Sequence, residues 1–370
     1  MHVDLVVTFS PVGGGHKGAA LALQEAAEAR GLRTVLLDAF DFAPRWFGDM
    51  YLRAHLAGQG LVPDLYGSAY SAANHARGVL DPLRRGMDEL TFAKLGAHVR
   101  DLRPRAVLAT HHLPLVALAH ERRRGRLTAP LGCVVTDYTA HAVWAEAGVD
   151  RFFVGGPFAG DELLEHGVSL ERVSCTGIPV RKAFERAPAS RPPRHGHGHG
   201  RLRVLLTSGG FGVGPLERMV ASFADVADVE LVVVCGTAEP VRRRIEGLAR
   251  SLGLRAEVVG FERDMPRRMA EAHVVVGKAG GLTVTEALTA GRPLIIAGAV
   301  PGNETINEVF VCTQGAGASV RPGDVGTAVL AMWAQGRLPA MGQRARASVP
   351  RGAADAIVRE VLATSCDAAA

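Results

Sequence analysis

His273-Val-Val-Val-Gly-Lys-Ala-Gly-Gly-Leu-Thr-Val-Thr-Glu-Ala287 reads as a buried strand, a glycine loop and the opening of a helix. Gly280 and Gly281 allow a ligand to approach the backbone closely, and the helix that follows offers free N–H groups and a positive dipole end. That arrangement suits a diphosphate. Glu286 falls about one turn further on, where its two oxygens can accept hydrogen bonds from a ribose diol. A nucleotide that carries both groups is the simplest ligand for the whole segment.

The same strand–glycine–helix grammar extends outward in both directions. Strand Arg203–Thr207 leads into Ser208-Gly-Gly-Phe-Gly-Val-Gly214 and a helix, with further strands expected near 230–235, 256–259, 273–276 and 293–297. The first half begins with strand Leu5–Phe9, a glycine loop at 13–15 and a helix that Gly31 stops. Strands follow at 34–37, 106–109, 131–135, 151–154 and 172–175. Short apolar strands alternating with amphipathic helices indicate parallel βαβ units. Residues 186–200 are Pro- and Gly-rich without apolar periodicity, as in a linker. The expected organisation is α/β: residues 1–185, a linker, and residues 201–350, as two Rossmann-like domains facing an interdomain cleft. A helix near 353–364 is expected to pack back on the first domain, and ligands are expected at the C-terminal strand ends.

Composition narrows the class without choosing a ligand. The 370 residues suffice for two cores, and 48% apolar content with 5% aromatics fits an α/β protein. A net charge of +5 favours anionic partners, among which nucleic acid, membrane surfaces and nucleotides all qualify. No run approaches the roughly 18 apolar residues of a membrane span, and no signal-peptide pattern is present. Cys133, Cys175, Cys235, Cys312 and Cys366 form no CxxC pair, which is expected of reduced thiols in the cytosol.

Several constellations carry chemistry. Gly13-Gly-Gly-His-Lys-Gly18 literally matches the dinucleotide fingerprint, with Asp38 following the second strand. A His-Lys pair is unusual in a turn that must hug a pyrophosphate, and the alternative reading makes His16 a general base. Ser208–Gly214, which contains Gly209, Gly210 and Phe211, favours a phosphate or sugar contact. Cys235-Gly236-Thr237 ends a strand towards the same place, and Phe261 could frame a base or fill a core. Pro301-Gly-Asn-Glu-Thr-Ile-Asn307 presents Asn303, Glu304 and Asn307 in helix-start register, chemistry that recognises sugar hydroxyls; alone, it also reads as an N-capped helix. Thr136-Asp-Tyr-Thr-Ala-His-Ala-Val-Trp144 places a carboxylate, a histidine and two aromatics on a loop, suited to an acceptor hydroxyl and a lipid or sugar face. His111-His112 reads as another loop-borne polar pair. No HExxH motif and no Asp-x-Asp is present, and no metal or other cofactor is expected.

Taken together, these residues resemble the bacterial and plastid diacylglycerol glycosyltransferases, the monogalactosyldiacylglycerol synthases and processive diacylglycerol glucosyltransferases related to MurG. The resemblance rests on Gly13-Gly-Gly-His-Lys17, Val135-Thr-Asp-Tyr138 with His141 and Trp144, and Thr176-Gly-Ile-Pro-Val-Arg181. It continues in Lys278-Ala-Gly-Gly-Leu-Thr283 with Glu286-Ala287, and in Pro301-Gly-Asn-Glu304 with Asn307. It implies a glycosyltransferase-B fold, a UDP-hexose donor in the second domain, and inversion at the anomeric carbon without a metal. By that resemblance Glu286 holds the ribose, the loop Gly280, Gly281, Leu282 and Thr283 with Lys278 meets the diphosphate, and Glu304 with Asn307 holds the sugar. Gly209, Gly210, Phe211, Gly236, Phe261 and Asn303 complete the expected donor side. His16 and Asp137 are the catalytic candidates, with Gly14, Gly15, Tyr138, His141 and Trp144 on the acceptor side. Asn303 stands where the family usually carries Gln.

The implied partners are a UDP-hexose, a lipid acceptor and a membrane surface, not nucleic acid. Residues 45–77, with Trp46, Tyr51, Tyr66, Tyr70 and Arg77, mix basic and aromatic groups, and Arg122-Arg-Arg-Gly-Arg126 adds a charged run. The expected location is the cytoplasm, peripherally on the inner face of the cell membrane.

Overall fold

A computed structural model of the chain describes residues 3–61, 80–187, 201–212 and 214–367. The chain divides into two compact units, Met1–Lys182 with Gly352–Ala370, and Ala183–Arg351. Each is built on a six-stranded, all-parallel sheet.

Unit 1 contains β1 (Leu5–Phe9), β2 (Thr34–Asp38), β3 (Ala106–Ala109), β4 (Leu131–Val134), β5 (Arg151–Phe153) and β6 (Val173–Ser174), in the spatial order β2-β1-β3-β4-β5-β6. Its helices are α1 (Gly15–Glu28), α2 (Arg45–Leu61), α3 (Leu80–Thr91), α4 (Ala93–Leu102), α5 (His112–Arg123) and α6 (Pro157–Glu165). Unit 2 contains β7 (Leu202–Thr207), β8 (Val229–Val234), β9 (Ala256–Val259), β10 (Val274–Gly277), β11 (Leu294–Ile296) and β12 (Gly317–Ser319), in the order β12-β11-β10-β7-β8-β9. Its helices are α7 (Leu216–Ala221), α8 (Glu239–Ser251), α9 (Met265–Glu271), α10 (Gly281–Thr289), α11 (Asn303–Thr313), α12 (Val325–Ala334) and α13 (Arg337–Ala347).

The central strands are continuous apolar runs because helices cover both faces of a parallel sheet. Every residue of β1 and of β10 is buried. The chain then returns to unit 1 as α14 (Ala353–Asp367), whose Ile357, Val358 and Val361 join Leu5, Val7, Leu23 and Ala27 in one core cluster. Ser174 and Glu360 share a hydrogen bond that fastens this helix to β6.

In each unit the strand order reverses beside the first strand: between β1 and β3, and between β7 and β10. Such a reversal leaves a crevice at the carboxyl ends of the two strands, because the helices that follow them lie on opposite faces. The topology therefore singles out four loops, after β1, β3, β7 and β10.

Two features differ from the sequence expectation. The edge strand β12 is a three-residue Gly-Ala-Ser segment with no apolar run to signal it, and only its pairing with β11 defines it. His111-His112 is not a loop pair. His111 caps α5 by accepting from the Leu113 N–H, and His112 is the first helical residue. Of the linker at 186–200, residues 188–200 lie outside the described residues, as do Tyr66, Tyr70, Arg77 and Cys366's side chain. Cys133, Cys175, Cys235 and Cys312 are free thiols.

Helix α3 is amphipathic in the inverted sense. Its charged side chains are turned inward: Glu89 binds His120 Nδ1 at 2.8 Å and Arg123 Nη2 at 2.6 Å, and Arg85 meets Glu146 at 3.3 Å. Its apolar side chains face outward, Leu83 63%, Met87 61% and Leu90 81% exposed. On α2, Trp46 and Met50 are also exposed, beside exposed Arg45 and Arg53. The basic run 122–126 is largely neutralised, with Arg122 paired to Asp150, Arg123 to Glu89 and Arg126 to Glu121. Among the described residues, no helix is long and apolar enough to cross a membrane.

Candidate functional site

In unit 2 the loop after β10 is shaped for close approach. Gly277 ends the strand against β7; a Cβ there would lie 2.8 Å from the Thr207 carbonyl oxygen. Gly280, in extended conformation, caps α10, and the N–H groups of Gly281, Leu282 and Thr283 open the helix without intrahelical acceptors. Thr285 Oγ donates to the Gly281 carbonyl at 2.8 Å, and Glu286, half-buried, lies in the second turn.

Helix α11 braces this loop. Asn307 is fully buried, and its Nδ2 donates to the Ala279 carbonyl at 2.8 Å. Glu304, 7% exposed, accepts from the Val300 N–H at 2.8 Å and pairs with Lys278 Nζ at 3.3 Å. Asn303, at the helix start, is half-buried.

The loop after β7 faces the same switch point from the neighbouring strand. Gly209 has φ +75°, and Gly236 sits so tightly beneath that a Cβ would lie 2.4 Å from the Gly210 carbonyl oxygen. Thr237 N–H donates to that carbonyl at 2.9 Å, so Cys235-Gly-Thr237 serves as the floor of the loop. Phe211 is half-buried, whereas Phe261, beyond β9, is 63% exposed. Ser208 Oγ is buried without a hydrogen-bond partner among the described residues.

In unit 1 the loops after β1 and β3 meet at His16, in the first turn of α1. Gly14 caps the helix and is exposed, and Gly15 is half-buried. His16 Nδ1 lies 2.7 Å from the Thr110 carbonyl oxygen and 2.9 Å from Thr136 Oγ1. A carbonyl only accepts, so Nδ1 carries the proton of the neutral ring and Nε2 keeps its lone pair. Thr110 Oγ1 returns a bond to the His16 carbonyl at 2.9 Å. Burial lowers the pKa of His16 below the usual 6.5, an effect opposed by the charge of Asp137 and by the Thr110 carbonyl. The imidazole is therefore neutral at pH 7, the form that can take a proton. Ser10 Oγ, directly after β1, is buried and unpartnered among the described residues, as Ser208 is after β7.

Around His16 the rings of His111 at 4.3 Å and Trp144 at 6.4 Å form an aromatic wall, and His112 stacks on His111 at 4.3 Å. The loop 136–144 that carries Asp137 and Trp144 is pinned from α6. Glu162 accepts from Thr139 Oγ1 at 2.8 Å and from the Ala140 N–H at 2.6 Å. Burial raises the pKa of Glu162, and these two donors oppose the shift. Tyr138 and His141 are buried, and His141 caps the turn Ala142–Trp144 by accepting from the Val143 N–H. Asp38 is occupied in the same manner, capping the turn after β2 through the Phe40 N–H at 2.9 Å.

The sequence had nominated His16, Asp137 and Trp144 but not the groups that hold them: Thr110, Thr136 and Glu162. Nothing local marks Thr110 or Thr136 as partners of a histidine some hundred residues earlier. Ser10 and Ser208 did carry a signal, each being the first residue after the first strand of its half.

Known proteins with the same build stand beside this geometry. Residues 16–180 match the family model of monogalactosyldiacylglycerol (MGDG) synthase, and residues 205–311 that of the glycosyltransferase family 28 C-terminal domain. The processive diacylglycerol β-glucosyltransferase of Bacillus cytotoxicus is 26% identical over 334 residues, covering 86% of this chain and 82% of that protein. Its namesake in Bacillus thuringiensis is 25% identical over the same shares. Among solved structures, Acinetobacter baumannii MurG superposes with a TM-score of 0.64 at 17% identity, covering 97% of this chain and 99% of its own. Staphylococcus aureus MnaA, solved with UDP, gives 0.62 at 15% identity over 99% and 97%. The two Rossmann-like units are the glycosyltransferase-B fold, and the chain belongs to the glycosyltransferases in which a monogalactosyldiacylglycerol-synthase domain precedes a family 28 C-terminal domain.

Proposed function

We propose that the chain transfers a hexose from a UDP-sugar to diacylglycerol, with inversion at the anomeric carbon and without a metal. The donor half rests on one observation above the others: a glycine loop at the β7/β10 switch opens α10, with Glu286 in the second turn. Free N–H groups and the helix dipole suit a diphosphate, and a carboxylate at that distance suits a ribose diol. The acceptor half draws on the names of the curated relatives, which are diacylglycerol β-glucosyltransferases.

In this mechanism the acceptor hydroxyl attacks the anomeric carbon as UDP departs from the opposite face. His16 Nε2 takes the hydroxyl proton, Nδ1–H remaining on the Thr110 carbonyl. Asp137 stabilises the imidazolium as it forms. Charge that develops on the diphosphate meets the N–H groups of α10 and Lys278. One such preorganised donor is worth about 3 kcal/mol in a transition state.

A lipid acceptor requires contact with a bilayer, and the inverted helix α3, with Trp46, Met50, Arg45 and Arg53 on α2, suits an interface at the inner face of the cell membrane. The decisive experiment follows UDP release from UDP-glucose, UDP-galactose and UDP-N-acetylglucosamine, with and without diacylglycerol vesicles and with EDTA present, and identifies the lipid product by mass. Vesicle-dependent release with a hexosyl-diacylglycerol product is expected. UDP release with polyprenyl lipids only, or conversion of the donor without any acceptor, would replace diacylglycerol by a polyprenyl-linked acceptor or by epimerisation.

A further inference from the structure

We infer that Glu304 and Asn307 hold the diphosphate loop in its binding shape and do not grip the sugar. The inference rests on the donor reading above and departs from what the family resemblance implies for these two residues.

Burial and bonding both point this way. Asn307 has no exposed surface, and its amide nitrogen is committed to the Ala279 carbonyl. Glu304 is 7% exposed, with Oε2 on the Val300 N–H and Oε1 facing Lys278 Nζ. These contacts fall on consecutive loop residues, the side chain of Lys278 and the backbone of Ala279, immediately before the Gly280 cap. The anchoring of Ala279 has a directional consequence. In a trans peptide the C=O and the next N–H point to opposite sides, so a carbonyl held towards Asn307 turns the Gly280 N–H away from α11. That N–H is the first donor of the glycine loop. Asn307 thus sets the direction of a ligand-binding group that it does not touch.

Glu304 acts on the neighbouring residue. Its carboxylate holds the Lys278 ammonium at the base of the loop, where the cation adds to the potential of the α10 N-terminus. Its second oxygen fixes the Val300 N–H, which ties the start of the loop before α11 to the same group. Helix α11 is therefore a brace with two fingers, and the half-buried Asn303 is the member of the trio left in position to meet a sugar hydroxyl.

The test compares three probes by titration on the full chain: uridine, UDP and UDP-glucose. A brace acts on the diphosphate, which UDP and UDP-glucose share, whereas a sugar grip acts on UDP-glucose alone. Asn307→Asp keeps size but places an acceptor against the Ala279 carbonyl. Glu304→Gln keeps an acceptor for Val300 and removes the charge that holds Lys278. Each variant is expected to weaken UDP and UDP-glucose by the same factor, about 5- to 50-fold, from loss of one buried polar partner, with uridine within about twofold of the unaltered chain. Asn303→Ala is expected to weaken UDP-glucose alone. If Asn307→Asp and Glu304→Gln weaken UDP-glucose while UDP is unchanged, the two residues grip the sugar and the inference is overturned. Equal weakening of uridine, with a fall in melting temperature, would show general damage and overturn it too. Failure of the unaltered chain to bind UDP would remove the donor reading, and this one with it, a result distinct from either variant outcome.

Discussion

The Nδ1 of His16 lies 2.7 Å from the carbonyl oxygen of Thr110, across a separation of 94 residues, and this contact fixes which face of the ring does chemistry. With the proton held on Nδ1, only Nε2 can accept one. Replacement by alanine should lower kcat by about 10²- to 10⁴-fold, the usual worth of general base catalysis, with UDP affinity unchanged. An unaltered kcat in His16→Ala would remove His16 from the mechanism.

The same environment sets a pH dependence. Because burial lowers the His16 pKa below 6.5, the acid limb of the kcat/KM profile should have its midpoint below 6.5. The stability consequence has a definite sign. Between the folded-state pKa and 6.5, the unfolded chain binds the proton and the folded chain does not. Stability therefore falls as the pH drops through that window, and His16→Asn should flatten this part of a melting-temperature profile. A midpoint above 6.5 would contradict the assigned neutral ring.

Thr136 offers a second acceptor to Nδ1 at 2.9 Å, so it trims the ring's orientation without setting the tautomer. Thr136→Val should lower kcat by about fivefold, equivalent to one net hydrogen bond, and leave the KM for the donor unchanged. A loss as large as that of His16→Ala would mean that the Thr110 carbonyl does not suffice to hold the ring.

How far the molecule could be read from its sequence is clear at this site. Strand–glycine–helix punctuation is local, so β1, β7, β10 and the loops after them were legible, and so was the return of α14. The edge strand β12 was not, because Gly317-Ala-Ser319 has no apolar signature and exists through its register with β11. The chemistry of His16 depends on Thr110 and Thr136, brought to it by adjacent parallel strands; that proximity is a property of strand order, which a linear reading does not contain. Burial was equally hidden. Asn303, Glu304 and Asn307 look alike as helix-start polar residues, yet the last two are turned inward.

The floor of the β7 loop yields a steric prediction. Gly236 has φ +64°, and a Cβ there would lie 2.4 Å from the Gly210 carbonyl oxygen and 2.6 Å from that of Gly209. Gly236→Ala has to displace backbone, so a cost of about 2 kcal/mol or more is expected, with weakened UDP binding. Gly247 in α8 meets nothing within 4 Å, and Gly247→Ala is the control that should stabilise the helix slightly, by roughly 0.5–1 kcal/mol. Equal melting temperatures for the two variants would contradict the packing described.

The last prediction concerns the outward face of α3. A helix normally buries its apolar side chains and exposes its charges, because transfer of apolar area from water stabilises by roughly 25 cal/mol per Å². Here Glu89 and Arg85 are held inward by His120, Arg123 and Glu146, while Leu83, Met87 and Leu90 face solvent. The charges cannot simply rotate outward, because Glu146 is nearly fully buried and would lose Arg85. The exposed stripe is thus fixed in place, and insertion into a bilayer interface would recover the apolar term. Replacement of Leu83, Met87 and Leu90 by serine should leave the melting temperature and UDP binding intact, since none of the three packs inside the unit. Sedimentation with anionic diacylglycerol vesicles should fall by about tenfold or more, given the area withdrawn from the interface. Trp46→Ala should act in the same direction. Unchanged sedimentation of the triple variant would assign the stripe to some other surface and leave vesicle binding to α2.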